Sequence, residues 1–251
     1  MSGHSKWSTI KRKKAAADAK RGQVFTRLAR EIAIAAREGG GDPDTNFRLR
    51  LAVDKAKAAN MPKDNIERAI LRGAGGGKDD ELEEVTYEGY APYGVAVLVQ
   101  VLTDNRNRTV AEVRHVFNRQ GGSLSEVGAV AWQFERKGYI AIEPDGLDPD
   151  EIFEHAAEAG AEDVILGDDM VEVYAELDNF QAVQETLQAC GVNFATAELS
   201  MVPKTMLNLE PSQALKVMRV IEALEDLDDV QQVYSNLEIT DDLMEQYEAD
   251  N

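Results

Sequence analysis

The sequence predicts an α+β protein with three domains. Apolar residues recur with helical spacing through residues 19–73, and the repeat changes to two from Leu82 onward, as in strands. Residues 139–202 then contain one complete βαββαβ order, which is the ferredoxin-like arrangement. These observations predict an N-terminal helical domain and two ferredoxin-like α/β domains, the third inserted into the second.

The helical domain is predicted to contain three helices. The first spans residues 19–38, where the apolar residues share one arc and a run of three glycines follows. Residues 44–46 can cap a second helix over 47–59, and Pro62 suits the first turn of a third. Residues 73–78 then form a glycine-rich run, which indicates a flexible connector to the next domain. It does not match a phosphate-binding loop, because Asp79 stands where Ser or Thr is required.

Insertion of the third domain follows from the order of elements in the second. The second domain begins with strands around residues 85–87 and 95–102, a helix after Thr109 and a strand over 130–134. It therefore lacks the last helix and the last strand of a ferredoxin-like unit. Residues 211–224 and 230–234 have the patterns that would supply them. The predicted domains are therefore 1–78, a split domain of 79–135 with 204–240, an inserted domain of 136–203, and an acidic tail of 241–251 that frays.

Charge is distributed very unevenly along the chain. Residues 1–78 hold 18 Lys and Arg against 8 Asp and Glu, whereas residues 79–251 hold 9 against 38. Such asymmetry is typical of a protein whose basic part binds a polyanion. No apolar run is long enough to span a membrane, the start of the chain lacks a secretory pattern, and Cys190 is a single cysteine. These features favour the cytoplasm.

The basic residues near the start of the chain are the first candidates for contacts with nucleic acid. Three arginines of the first helix lie on the side opposite its apolar arc, and Ile34 among them indicates that this face also touches an apolar surface. Trp7 either packs on the helical domain or stacks on a base. The candidates in this segment are Lys6, Lys11, Arg12, Lys13, Lys14, Lys20, Arg21, Arg27, Arg30 and Arg37.

A second set of candidates lies on the helix of the middle domain. Arg106, Arg108, His115 and Arg119 are four of the few basic residues in an acidic body. The alternative is that Arg106 and Arg108 pair with nearby acids such as Asp104 and Glu112. The second helix of the N-terminal domain also carries basic residues on two sides, which suits a structured polyphosphate better than one groove: Arg48, Arg50, Lys55 and Lys57.

Catalysis is not predicted, and neither is a cofactor or a metal. The three histidines, His4, His115 and His155, lie on different segments, and metal sites need tightly spaced His and Cys. Cys190 has no basic neighbour in sequence to activate it, so a buried thiol is expected. Carboxylates are numerous but scattered over helical faces, where solvation explains them.

Six stretches of the sequence together carry a resemblance to a known family. They are residues 3–7, 11–21, 39–43, 60–64, 103–109 and 125–134, the last with Ala131, Trp132, Gln133 and Phe134 in succession. In these stretches the chain resembles the YebC-like proteins, which include mitochondrial translational activators. The resemblance runs along the whole chain and implies a three-domain α/β protein that is not an enzyme. It also implies the roles of the relatives: bacterial members are called probable transcriptional regulators that bind DNA, and some act on ribosomes stalled at proline-rich sequences.

The sequence therefore predicts a non-enzymatic, nucleic-acid-binding regulator of gene expression, with DNA as its partner. The alternative is a translation activator that binds the ribosome through rRNA and relieves stalled translation. A third possibility is an acidic scaffold that binds proteins. No membrane and no small-molecule substrate is expected as a partner, and Lys and Arg contacts to phosphate would give affinity with little sequence information.

Overall fold

The structure is a computed structural model that describes residues 18–75, 82–144, 146–167 and 170–249. It confirms the predicted fold class, since a helical domain precedes two four-stranded antiparallel sheets. The helices are α1 Asp18–Gly39, α2 Phe47–Ala58, α3 Lys63–Ala74, α4 Arg106–Arg119, α5 Pro149–Glu158, α6 Leu177–Ala189, α7 Pro211–Glu225 and α8 Asp241–Ala249. The strands are β1 Glu83–Tyr90, β2 Ala96–Thr103, β3 Ser123–Leu124, β4 Phe134–Ile142, β5 Asp163–Leu166, β6 Val171–Ala175, β7 Thr196–Pro203 and β8 Val230–Ser235.

In the N-terminal domain, α1 is held between α2 and α3. Asn46 caps α2 by accepting a hydrogen bond from the Leu49 amide, and its own amide donates to the carbonyl of Ala35 in α1 at 2.7 Å. Gly73 lets α3 approach α1 closely, because a Cβ at that position would lie 2.0 Å from the Ala33 carbonyl oxygen. The three helices therefore form one packed unit around a shared apolar core.

The middle domain has the strand order β3-β1-β2-β8, and the final strand comes from the far end of the chain. Alternate residues of β2, among them Val97 and Val99, point into a core that α4, α7 and α8 complete. The other face of the sheet carries Ala96 and Leu98, which pack against Phe134 at the start of the third domain. One face of this sheet is thus covered by helices, and the other looks toward the remaining domains.

The third domain has the strand order β5-β6-β4-β7, with α5 and α6 on one face. This is the ferredoxin-like order expected for residues 139–202. The chain enters and leaves the domain side by side, because the Lys204 amide donates to the Gln133 carbonyl at 2.8 Å and Phe134 pairs with Pro203. The domain is therefore inserted, as predicted, and it is joined to the middle domain by two neighbouring strands.

The prediction of a strand over residues 130–134 is wrong. Residues Ala131–Gln133 form a 3-10 helix, β4 begins only at Phe134, and the strand that pairs with β1 is the short β3. The physical reason is Glu88, whose carboxylate accepts hydrogen bonds from the backbone amides of Gly128, Val130 and Ala131. Those donors are therefore not available to a β-ladder.

The tail does not fray as expected. Residues 241–249 form α8, and Leu243, Met244 and Tyr247 are buried in the core of the middle domain. The Tyr247 hydroxyl also contacts the Glu222 carboxylate on α7. These three apolar residues have the spacing of one helical face, which indicates a packed helix. The acidic composition of the segment had favoured a frayed tail instead. No helix in the described residues has the length and hydropathy needed to cross a membrane.

Candidate nucleic-acid interface

The basic residues at the start of the chain are placed only in part. Lys6, Lys11, Arg12, Lys13 and Lys14 lie outside the described residues. The backbone of Lys20 and Arg21 belongs to α1, but their side chains lie outside the description as well. Their contact with nucleic acid stays a prediction that rests on the sequence.

The arginines of α1 face the middle domain of the same chain. Arg27 donates to the carbonyl oxygens of Glu225 and Leu227, and Arg30 donates to the carbonyl of Asp228 at 3.0 Å. Further along the helix, Arg37 donates to the Leu82 carbonyl at 2.9 Å. Burial lowers the pKa of Arg27, and nearby acids led by Glu225 oppose that shift. The structure thus gives this face a role within the chain that the sequence did not reveal.

Ile34 completes this contact between α1 and the middle domain. Its side chain is 1% exposed and packs with Leu82 and Leu102 in a small apolar cluster. An apolar neighbour for this face was expected from the position of Ile34 among the arginines, but the neighbour belongs to the same chain. We call the surface of α1 formed by Arg27, Arg30, Ile34 and Arg37 the docking face.

Asp229 is the acidic centre of the docking contact, and its side chain is 2% exposed. One carboxylate oxygen accepts from Arg108 at 2.6 Å, from Thr109 at 2.7 Å and from Thr103 at 3.1 Å. The other oxygen accepts from Arg30 at 3.1 Å. Burial alone would raise the pKa of Asp229, but the donors, Arg108 first, outweigh it and lower that pKa.

Arg106 and Arg108, the first two candidates on α4, both have acidic neighbours. Arg108 also pairs with Asp104 at 2.9 Å, and its pKa is raised mainly by the hydrogen bond to Asp229. Arg106 lies 3.6 Å from Glu83 rather than near Glu112. Pairing with acids was the alternative considered for these two residues, and Asp229 was not foreseen because it is distant in sequence.

The outer face of α4 is different, because its basic side chains are exposed and have no ion pair within the described residues. His115 and Arg119 were candidates, and Arg114 joins them. Lys216 of the adjacent α7 donates to the Tyr93 hydroxyl at 3.2 Å. We call Arg114, His115 and Arg119 the α4 outer face. Arg114 was not predicted because it does not align with Arg108 along the helix, although it directly precedes His115.

The basic residues of α2 mostly meet acids from the rest of the chain. Arg48 pairs with Glu38 and with Glu84 of β1, the latter at 2.7 Å. Arg50 donates to the carbonyls of Pro43 and Asp44, Lys55 lies 3.1 Å from Glu198 of β7, and Lys57 pairs with Asp54 at 3.1 Å. Burial would lower the pKa of Lys55, but Glu31 and Glu198 outweigh it and raise that pKa. These side chains bind acids of the protein rather than forming a free surface.

A cavity of about 520 Å³ lies where the three domains meet. Its lining includes Arg48 and Lys55 from the N-terminal domain, Glu88 and Gln100 from the uncovered face of the middle sheet, and Arg136 from β4. Among these cations, Arg136 has no ion pair within the described part of the chain. The charges of the cavity are therefore largely balanced inside the protein.

A loop beside this cavity carries exposed apolar residues that the sequence did not single out as a site. Val127 is 92% exposed and Trp132 is 67% exposed. The Glu88 carboxylate holds the loop by accepting three amide hydrogen bonds of 2.7–2.8 Å. Burial would raise the pKa of Glu88, but these three hydrogen bonds outweigh it and lower that pKa. The feature of the sequence that could have indicated this site is Trp132, which lies in a run of residues without charge.

The residues considered for catalysis remain scattered. Cys190 is exposed at the C-terminal end of α6, so the expectation of a buried thiol is wrong. The reason is its position as the helix cap, since the core-facing residue of that turn is Leu187. His4 lies outside the description, and His115 and His155 belong to different domains. Within the described ranges, no three His, Cys, Asp or Glu side chains could together hold a metal ion.

The position of Asp229 leads to a prediction about acid stability. Asp229→Asn should destabilise the protein by about 2–4 kcal/mol near neutral pH, because two arginines and two threonines lose a charged acceptor. Since the folded pKa lies below the unfolded value of about 3.9, this contribution is full above that value and is lost as pH falls through the folded pKa. Urea unfolding at a series of pH values should show the difference between wild type and variant shrinking below about pH 4.

Asp226→Asn is the matched control, because Asp226 is exposed and lies in the same connection between α7 and β8. It should change stability far less than Asp229→Asn. Equal losses in the two variants, or a difference that persists unchanged at pH 3, would contradict the assigned role of Asp229.

Comparison with known proteins gives a consistent result along the chain. The model of the TACO1/YebC N-terminal domain matches residues 5–76, and that of the TACO1/YebC second and third domain matches residues 82–237. A protein of Trichlorobacter lovleyi named "Probable transcriptional regulatory protein" is 56% identical over 98% of this chain and 99% of its own length. A protein of Roseiflexus castenholzii with the same name is 57% identical over 98% of this chain and 99% of its own.

A solved structure is also similar to this chain over most of its length. The crystal structure of a conserved hypothetical protein from Aquifex aeolicus matches with a TM-score of 0.83 and 48% identity, covering 89% of this chain and 93% of that one. Both the helical domain and the two sheet domains thus have counterparts of the same kind, and the chain belongs to the TACO1/YebC family.

Proposed function

We propose that this protein is a non-enzymatic regulator of gene expression that acts in the cytoplasm by binding nucleic acid, with DNA as its partner. The name of the relatives, probable transcriptional regulatory protein, supports a regulatory role. The exposed cations that remain after the internal ion pairs are assigned support a polyanionic ligand. No small-molecule substrate and no membrane enters this proposal.

The α4 outer face is the observation that carries the proposal. The chain after residue 78 holds 38 acids against 9 Lys and Arg, so each of its cations could readily have an acidic partner. Arg114 and Arg119 nevertheless have no ion pair within the described residues, while Arg106 and Arg108 on the same helix do. A cation that remains unpaired in so acidic a body is suited to an anion supplied from outside.

The basic segment before α1 is the second part of the proposed interface. Residues 6–17 contain five Lys and Arg and no acid, and they precede a helix whose Arg27, Arg30 and Arg37 contact the middle domain. The docking face therefore does not enter the proposed surface, although the sequence had suggested it. Phosphate contacts from the segment and from α4 would provide affinity without reading base edges, so weak sequence preference is expected.

The contribution of the basic segment can be measured through salt. Each phosphate contact lowers log K by roughly 0.9 per unit of log salt on B-DNA and roughly 0.7 on single strands. Replacing Lys11, Arg12, Lys13 and Lys14 with Ala should therefore flatten the slope by about three units. Fluorescence anisotropy with labelled DNA at 50–300 mM salt, roughly the range over which such contacts weaken binding, measures the slope.

A variant with Lys57, Lys63 and Arg68 changed to Ala is the control. These residues are exposed cations of the same domain, but each has a partner within the chain. Their loss should alter the slope by less than one unit, roughly that of a single contact. Similar slopes in the two variants would show that the segment has no special role.

Charge reversal on α4 tests the observation that carries the proposal. Arg114→Glu with Arg119→Glu should weaken binding roughly tenfold or more at low salt, since two attractive contacts become repulsive. Thermal stability should change little, because both side chains are exposed and surface changes usually stay within about 0.5 kcal/mol. Lys63→Glu on α3, 86% exposed and paired with Glu67, is the control. Unchanged affinity in the α4 variant would exclude this face.

The nature of the physiological ligand is tested by crosslinking in cells. A tagged protein should recover genomic DNA fragments, and the α4 variant should recover fewer of them. Enrichment of rRNA would instead support the translation alternative, and recovery of protein without nucleic acid would support a scaffold and refute the proposal.

A further inference from the structure

The loop of residues 125–133, which we call the Trp132 loop, displays an aromatic side chain that the core does not use. Trp132 is 67% exposed although Trp is usually well buried, and Val127 on the same loop is 92% exposed. The proposed contacts with the basic segment and α4 do not involve either residue. An exposed indole and an exposed aliphatic side chain on one loop are typical of an interaction surface.

The loop is held firmly in this arrangement. The buried Glu88 carboxylate accepts from the amides of Gly128, Val130 and Ala131 at 2.7–2.8 Å. The Tyr90 hydroxyl donates to the Ala129 carbonyl at 3.2 Å. Charge-assisted bonds of this kind fix the backbone, so little ordering entropy is lost when a ligand contacts the loop.

The orientation of the indole is also fixed. Its Nε1 donates to the Ala129 carbonyl at 3.0 Å, which satisfies the one polar group of the ring. What the side chain offers to solvent is therefore ring surface without a free hydrogen-bond donor. A flat partner that stacks on the ring matches this surface.

Two exposed cations lie close to the loop along the chain and across the sheet. The backbone amide of Lys204 bonds to the carbonyl of Gln133, the residue after Trp132. Arg136 follows on β4 and lines the same cavity as Val127 and Ala131. Neither Arg136 nor Lys204 has an ion pair within the described residues. These two cations suit an anionic ligand better than an apolar one.

We propose that the Trp132 loop binds single-stranded nucleic acid by stacking an unpaired base on the indole, while Arg136 and Lys204 contact the adjoining phosphates. This inference rests on the proposed function and adds to it a preference for single strands. The bases of a duplex are stacked on one another and are therefore not available to stack on the indole. Aromatic stacking of this kind tolerates every base, in keeping with weak sequence preference.

Fluorescence gives a direct test because Trp7 and Trp132 are the two tryptophans of the chain. In the full-length Trp7→Phe variant, all indole emission comes from Trp132. Titration with a single-stranded oligonucleotide should quench this emission along the binding curve, and a duplex of equal charge should leave it nearly unchanged. Binding of single strands without quenching would overturn the inference.

Affinity measurements give an independent test. Trp132→Ala should weaken binding of single strands by about 5- to 100-fold, the range expected for one stacked base, and should leave duplex binding nearly unchanged. Trp132→Phe should restore most of the affinity because the ring is retained. Lys204→Gln should reduce the salt slope by nearly one unit, whereas Lys57→Gln, on an exposed lysine paired with Asp54, should not.

The outcomes separate this inference from the function on which it rests. If Trp132→Ala binds single strands normally while the four-residue change in the basic segment weakens binding, the inference is wrong and nucleic-acid binding stands. Equal losses on single strands and duplex would also overturn it. If wild-type protein binds neither form, both proposals fail. Should Trp132→Ala unfold, Trp132→Phe and the fluorescence titration still decide.

Discussion

The arrangement of this protein depends on one buried carboxylate, that of Asp229. It accepts hydrogen bonds from α1 through Arg30, from α4 through Arg108 and Thr109, and from β2 through Thr103. A buried carboxylate is costly unless donors surround it, so each of these elements is held near the others by the need to satisfy it. The N-terminal domain is therefore docked on the sheet domain by a polar contact, with the small apolar cluster around Ile34 beside it.

This contact also explains part of the opposite charge of the two halves of the chain, because acids of one half pair with cations of the other. Acids of the body pair with several cations of the basic domain: Glu84 pairs with Arg48, Glu198 pairs with Lys55, and Asp229 pairs with Arg30. A long polyanion would meet the acidic body unfavourably, so productive contacts have to be confined to places where unpaired cations remain. The α4 outer face is such a place, and the cations beside the Trp132 loop form another.

Periodicity predicted most of the fold, and contacts between distant residues account for what it missed. The βαββαβ order of the third domain and the late arrival of β8 could be recognised because alternation and helical spacing are local properties. The 3-10 helix at Trp132 could not, since it depends on amide contacts with Glu88, some 40 residues earlier. The docking role of Arg27 and Arg30 was hidden for the same reason, because their partners lie about 200 residues away.

Candidate site residues show the same division. Charge asymmetry selected the basic segment and α4 as candidates, but the sequence does not show which cations the fold has already paired. Arg108 and Arg119 look alike in the sequence, yet the first is bound to a buried acid and the second has no ion pair within the described residues. Cys190 looked like a core residue because of its type, although its place at the end of α6 exposes it.

The entry and exit of the third domain through Gln133 and Lys204 have a topological consequence. The segment between them is a closed excursion of the chain, and its removal would take no strand from the sheet of the middle domain. The middle sheet, with the order β3-β1-β2-β8, is therefore complete without any strand of the third domain, as is typical where one domain is inserted into another. Trp132 directly precedes this stem, so the exposed indole lies at the junction between the middle and third domains.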